Sequence, residues 1–175
     1  LLILSPVIAV VAYKVHKNLG SPVLFRQVRP GKDGKPFEMI KFRTMLDAYD
    51  EQGEPLPNEQ RFTKFGNFLR STSLDELPGL WNVLKGDMSM VGPRPERAVF
   101  IAKLREEIPF YISRLKMKPG LTGWAQVCHH YDTSTEDVKI KLRYDMYYFE
   151  NMSLLLDFQI LVRTVYVVLT GKGAQ

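Results

Sequence analysis

The stretch SLDELPGL, residues 73–80, sets two carboxylates side by side just ahead of a proline. One reading is plain helix capping. A serine followed three residues later by glutamate is a capping-box pattern, and acids suit the positive end of a helix dipole. Pro78 argues against it. With Ser73 as the cap, the proline falls at the fifth helical position, where its ring meets the Leu74 carbonyl. It also biases Leu77 away from helical angles. A helix opening at Pro78 is the easier geometry, since proline suits the first position. Asp75 and Glu76 then stand at a helix entrance with side chains available for chemistry. Two adjacent carboxylates can divide labour, one attacking as a nucleophile and one holding Mg²⁺ against a phosphate.

Two further stretches carry candidate binding groups. In GDMSMVGPRPE (86–96), Gly86, Gly92, Pro93 and Pro95 hold the backbone in a tight path, and Arg94 supplies the long cation. A guanidinium on a rigid support suits bidentate phosphate recognition; a structural salt bridge is the competing reading. KPGLTGWAQ (118–126) is a second glycine-rich turn, with Thr122 and Gln126 as neutral hydrogen-bonders. Such turns let backbone N–H groups approach a phosphate or a base. Cys128, His129 and His130 are contiguous, which is no zinc spacing. No HExxH, P-loop or GxGxxG pattern occurs.

The 175 residues, 45% hydrophobic and 25% charged, are enough for one domain with a real core and exclude a disordered chain. A formal net charge of +5 favours anionic partners: nucleic acid, phosphorylated substrates or an anionic membrane surface. Adjacent acids in a basic region would repel nucleic acid, so it is not expected as a partner. The single cysteine excludes an internal disulfide and fits a reducing compartment.

The elements that must position these groups read as α+β, mainly helical. Residues 1–20, LLILSPVIAVVAYKVHKNLG, open on an apolar run shorter than the roughly 20 residues a bilayer needs. Basic residues follow that run, the reverse of a signal peptide. Two readings are open: a core helix, or the tail of a longer membrane segment bent at Ser5-Pro6, with Ser5 serving the freed carbonyls. VLFRQVR (23–29) and FEMIKFR (37–43) about the turn PGKDGK predict a short hairpin packed on helices. Residues 46–60 read as a surface loop. RFTKFGNFLRS (61–71) predicts a helix whose Phe62, Phe65, Phe68 and Leu69 face the core or a membrane interface, the core being preferred. A short helix over 77–86 stops at Gly86. Residues 87–96 read as turns, 95–108 as a helix with Val99, Ile101, Ala102 and Leu104 on its apolar face, and 108–127 as an irregular stretch with PG punctuation. A helix over 133–151 is capped by Ser134 or Thr135. A strongly apolar helix over 153–173 carries Asp157 and Arg163, which argues against a span and for a buried or interface-lying helix.

KFRTM (41–45), LRSTSLDELPGLWNVLKGDMSMVGPRP (69–95), KPGLTGWAQ (118–126) and YDMYY (144–148) occur together and in order. The chain thereby resembles the bacterial sugar transferase family, the monotopic polyprenyl-phosphate phosphoglycosyltransferases. It looks most like the C-terminal catalytic part of the long exopolysaccharide-type members. The resemblance implies transfer of a sugar-1-phosphate from a UDP-sugar to undecaprenyl phosphate, releasing UMP, as the first membrane step of exopolysaccharide or glycan synthesis. It implies Mg²⁺ and a ping-pong route in which Asp75 attacks the sugar-bearing phosphate and Glu76 helps bind the metal. Arg94, beside Pro93 in the family's Pro-Arg motif, would contact the nucleotide or phosphates. Lys41, Arg43, Arg70 and Gln126 are further candidate contacts. A re-entrant membrane helix broken at Ser5-Pro6 is implied for residues 1–20. Residues 21–175 would be a catalytic domain on the cytoplasmic face of the bacterial inner membrane, its active site at the membrane interface. Oligomeric state stays open, a dimer included. Where the family often has Asn and a small residue after GWAQV, this chain has Cys128-His129-His130-Tyr131, so that loop gives no reading of the sugar; the long members favour hexose-1-phosphate. Two rivals remain: a metal-dependent nucleotide-sugar phosphohydrolase, and a non-catalytic membrane-surface binding module.

Overall fold

The computed structural model describes residues 2–129 and 134–170. Helix α1 (Ser5–Leu19) carries Pro6 in its first turn, where the missing N–H leaves no bond unmade. Ser5 Oγ donates to the Leu2 carbonyl at 2.8 Å, so the serine does serve a carbonyl ahead of the proline. One face of α1, Val11, Val15 and Leu19, packs against Phe42 and Leu69. Val7, Val10 and Tyr13 are exposed. Among the described residues no helix is long and apolar enough to cross a membrane.

The predicted hairpin is present: β1 (Leu24–Pro30) pairs antiparallel with β2 (Pro36–Phe42), Leu24 opposite Phe42 and Pro30 opposite Pro36. Phe37, Met39, Ile40 and Phe42 are all buried, so β2 is covered on both faces and cannot show clean alternation. The expected surface loop ends in a one-turn helix, α2 (Asn58–Arg61). Next, α3 (Lys64–Ser71) is capped by Thr63, whose Oγ1 accepts from the Gly66 amide at 2.9 Å. Its predicted four-residue apolar face is split: Leu69 is buried, whereas Phe62 and Phe68 are largely exposed. Gly66 is the reason. A Cβ there would lie 1.9 Å from the Thr44 carbonyl oxygen, so α3 meets the hairpin's exit along Gly66 and Leu69.

Helix α4 (Gly79–Lys85) stops at Gly86 in the left-handed region (φ 83°), as the sequence requires. The stretches read as turns then conceal two three-residue strands, β3 (Ser89–Val91) and β4 (Gly120–Thr122), paired in parallel. Between them lies α5 (Ala98–Glu107), which buries Ile101 but leaves Val99 exposed. After β4 come α6 (Trp124–Cys128), α7 (Thr135–Glu150) and α8 (Leu154–Thr170). Ser134 closes a full capping box with Asp137 at the start of α7.

On α8, Leu156 and Ile160 join Val91, Met117, Val127 and Tyr148 in one core cluster. Its two charges face the protein: Tyr148 Oη donates to Asp157 at 2.7 Å, and the Arg163 guanidinium lies 4.7 Å from the Trp124 ring centroid. Leu155, Phe158, Val162 and Leu169 remain exposed.

Candidate active site

Leu74–Glu76 form a 3₁₀ turn that leads into α4, with Pro78 at the helix entrance. Ser73 takes a left-handed backbone conformation (φ 53°), and its side chain makes no capping bond. Non-glycine residues seldom adopt that conformation, and such positions gather at functional sites. Leu77 keeps helical angles despite the proline after it, packed beside Leu69 and Phe42. The entrance is fixed against the hairpin by the fully buried Asn82. Its Oδ1 accepts from the Ile40 amide (3.1 Å) and its Nδ2 donates to the Glu38 carbonyl (2.7 Å).

This arrangement brings the acids to Lys41 on β2 and Arg94 after β3. Lys41 Nζ lies 2.5 Å and Arg94 Nη2 3.0 Å from the same Glu76 oxygen, Oε1. Burial alone would raise the Glu76 carboxyl, but Arg94 and Lys41 outweigh it and hold it below the usual range. Asp75 is only 9% exposed. Burial first, and the Glu76 charge second, push its carboxyl up to about 6, against the pull of Lys41 and Arg94. Neighbouring acids thus have opposed shifts, one fixed as an anion and one poised near neutrality, the pattern of divided roles.

Both acids line a groove of about 830 Å³. Its wall includes one face of the hairpin: Phe25, Gln27 and Arg29 alternate along β1, beside Met39 and Lys41 of β2. Leu4, ahead of α1, and Val167 and Val168 of α8 also line the groove. The two glycine-rich turns close on each other to hold Arg94. The Gly92 amide donates to the Thr122 carbonyl and the Gly120 amide to the Pro93 carbonyl, both at 2.9 Å. A Cβ on Gly120 would lie 2.2 Å from the Gly92 nitrogen, so the approach requires glycine.

Residues 1–171 match the pattern of the bacterial sugar transferase family. The chain belongs to that family. It is 41% identical to the UDP-N-acetylgalactosamine-undecaprenyl-phosphate N-acetylgalactosaminephosphotransferase of Aeromonas hydrophila, over 98% of this chain and 41% of that protein. It is 47% identical to the uncharacterized sugar transferase EpsL of Bacillus subtilis, over 92% of this chain and 77% of that one. To the UDP-glucose:undecaprenyl-phosphate glucose-1-phosphate transferase of Klebsiella pneumoniae it is 43% identical, over 99% of this chain and 38% of the relative. The chain thus spans about two fifths of the first and third of these relatives.

In this family member the predicted site residues Lys41, Arg43, Arg70, Asp75, Glu76, Arg94 and Gln126 all line the one groove. They are not equally available. Arg43 is buried, its guanidinium donating to the Leu19 and Ser21 carbonyls and to Asp47 Oδ2, so it ties the end of α1 to the hairpin's exit. Arg70 Nε donates to Thr44 Oγ1 at 3.0 Å, and its guanidinium lies over the Phe62 ring. Gln126 Nε2 reaches the Leu121 carbonyl at 3.4 Å, while its buried Oε1 has no partner among the described residues. Pro93 is outside the groove wall and acts through its carbonyl on Gly120. Cys128 Sγ sits 3.5 Å from Arg163, and the His130 and Tyr131 of the divergent loop lie outside the described residues.

Sequence reasoning missed the support beneath Arg94. Arg114 and Asp145 form a buried ion pair at 2.9 Å, both side chains under 5% exposed. Arg114 Nη2 also donates to the Arg94 carbonyl (3.1 Å), and Nη1 to Tyr111 Oη (2.7 Å). Burial pushes the Asp145 carboxyl up, against the pull of Arg114. Asp145 lies within YDMYY, so its motif was visible but its partner 31 positions earlier was not. Glu96 and Lys141 pair at 3.1 Å along the same wall.

No group of three or more His, Cys, Asp or Glu is disposed to hold a metal among the described residues. Magnesium does not require one. It keeps several waters and binds through one or two carboxylates together with substrate phosphates. Glu76 supplies one such carboxylate, which suits an ion shared with a diphosphate, not an all-protein cage.

Proposed function

We propose that this chain transfers a sugar-1-phosphate from a UDP-sugar to undecaprenyl phosphate, releasing UMP, with Asp75 as a covalent nucleophile. The observation that carries the reading is the buried Asp75 beside a Glu76 clamped by Lys41 and Arg94, in the wall of one large groove. The names of the Aeromonas and Klebsiella relatives supply the donor and acceptor classes.

Asp75 Oδ attacks the sugar-bearing phosphorus, and the bond from that phosphorus to the bridging oxygen breaks. The electron pair leaves on UMP, and the sugar phosphate stays on Asp75 as an acyl phosphate. An oxygen of undecaprenyl phosphate then attacks the same phosphorus. The Asp75–phosphate bond breaks, the carboxylate is restored, and undecaprenyl diphosphate sugar departs. Lys41 and Arg94 orient phosphate oxygens and offset their charge. Partial protonation is compatible with the attacking role: a carboxyl of pKa about 6 is mostly ionised at neutral pH and more basic than an ordinary aspartate. Glu76 would hold Mg²⁺, which when bound adds positive charge at the phosphoryl oxygens. A covalent route lets a soluble donor and a lipid acceptor use one groove in turn.

The acceptor sets the location. We place the chain on the cytoplasmic face of a bacterial inner membrane, α1 being the second half of a re-entrant segment. The exposed apolar residues Leu2, Ile3, Val7 and Val10, and Leu155, Phe158 and Val162 of α8, support this reading. Leu4 and Val167 bring that apolar surface to the groove itself. A screen of UDP-sugar donors, reading UMP release, identifies the sugar carried. The test of the reaction class is acceptor dependence. UMP release from a UDP-sugar with Mg²⁺ is expected to continue past one equivalent per chain only when undecaprenyl phosphate is added. Equal turnover without it is the behaviour of a phosphohydrolase and overturns the reading.

A further inference from the structure

Arg29 is a cation in the groove wall that forms no ion pair with a carboxylate among the described residues. It lies at the end of β1, on the hairpin face that also presents Gln27, Met39 and Lys41 to the groove. Lys41 and Arg94 are paired to Glu76, and Lys141 to Glu96. Arg29 makes no ion pair with any described residue. Among the described residues its guanidinium makes a long hydrogen bond, Nη1 to the Pro95 carbonyl at 3.3 Å, and its Nε is buried without a partner. Burial is the largest influence and disfavours its charge; Glu96 favours the charge, and Arg94 and Arg97 oppose it. Leaving a guanidinium half-buried and under-bonded is unfavourable unless a ligand completes it.

The surroundings say which ligand. Arg29 lines both the main groove and a side pocket of about 80 Å³ that opens beside Glu76. Lys41, Glu76, Arg94 and Glu96 line both spaces as well, whereas Asp75 lines the groove alone. Around the side pocket stand three cations, Arg29, Lys41 and Arg94, against the two acids Glu76 and Glu96. The space is therefore suited to an anion that lies next to the attacked phosphorus but is not itself attacked. In a displacement at Asp75 that anion is the leaving nucleoside phosphate.

We infer that Arg29 is a substrate-binding residue for the nucleotide phosphate of the donor, completing its guanidinium on that phosphate as the Lys41–Glu76–Arg94 cluster orients the reacting one. The inference rests on the transferase reading above and adds a residue and a direction to it: nucleotide toward the side pocket, lipid acceptor toward Leu4 and Val167.

The test measures UMP affinity by equilibrium titration, and donor and acceptor KM by UMP release, on purified protein in detergent. Arg29→Gln is expected to weaken UMP binding and raise donor KM roughly ten- to a hundred-fold, the size of one charge-assisted hydrogen bond, with acceptor KM unchanged. Arg29→Lys keeps the charge and the aliphatic stem, so it folds where the glutamine variant does not, and it shows the same effect in weaker form. Arg26→Gln, on the opposite face of β1 in an exposed pair with Glu38, leaves all three values unchanged. UMP affinity and donor KM that stay at wild-type values in Arg29→Gln and Arg29→Lys overturn the assignment while leaving the transferase reading intact. So does an acceptor KM that rises as much as the donor's. A wild-type protein that neither binds UMP nor releases it overturns both.

Discussion

Replacing Asp75 with asparagine should abolish turnover and, in the absence of metal and substrate, make the protein more stable at neutral pH. The carboxyl stands at about 6 in the folded chain against an ordinary 3.8. A raised folded-state pKa means that the native protein holds the proton more tightly than the unfolded chain does. Below about pH 4 both states are protonated and the group costs nothing. As pH rises toward 6 the unfolded chain ionises first, and stability falls. Above the folded pKa the full cost is present, and it equals a shift of about two units at ~1.4 kcal/mol each, or ~3 kcal/mol. Asparagine never ionises, so Asp75→Asn regains most of that above pH 7 and none of it near pH 4. For a chain of this size the gain corresponds to a rise in Tm of roughly 6–12 °C. The assay is thermal melting of both proteins in detergent with a chelator, from pH 4 to 8. A difference in Tm that is flat across that range, or absent at pH 7.5, refutes the claim that the buried Asp75 charge is held at a cost in stability.

Three other outcomes follow from the same contacts. Arg114→Met strands the buried Asp145 and should lower stability by about 3–5 kcal/mol by denaturant unfolding, with much of the loss recovered in the Arg114→Met/Asp145→Leu double variant. Lys41→Met removes one of two cations from Glu76 and a charge that pulls Asp75 down, so both carboxyls protonate at higher pH. Its loss of turnover relative to wild type should therefore grow as pH falls from 8 to 5.5. Ser134→Ala opens the capping box of α7 and should cost about 1 kcal/mol in a melt while leaving turnover at the wild-type level.

What was legible in the sequence was what neighbouring residues decide. Gly86 ends α4, Ser134 caps α7, and PGKDGK turns the hairpin, because each acts through bonds within a few positions. Pro78 correctly moved the helix start past the two acids, although Leu77 shows that local bias yields to packing. Contacts made by tertiary folding were not legible. The strands β3 and β4 are three residues each and exist only because two glycine-rich turns meet, so each alone reads as a turn. Phe68 and Leu69 both stand at helical spacing from Phe65, but Gly66 chooses which side of α3 touches the hairpin. Arg43 looks like any cation near a motif, and only the fold ties it to the end of α1 and to Asp47. Asp75 and Glu76 were identifiable as a pair from the chain; their opposed acidities depend on Lys41 and Arg94, 35 and 18 positions from Glu76.

A sugar phosphate carried on Asp75 is visible to mass spectrometry of the protein after exposure to donor. With a UDP-sugar, Mg²⁺ and no lipid acceptor, one UMP should be released per chain. One added sugar phosphate should appear in the peptide containing Asp75, be lost on addition of undecaprenyl phosphate, and never form in Asp75→Asn. Turnover with acceptor by a chain that at no point carries the adduct, or an adduct that persists in Asp75→Asn, rules out the covalent route.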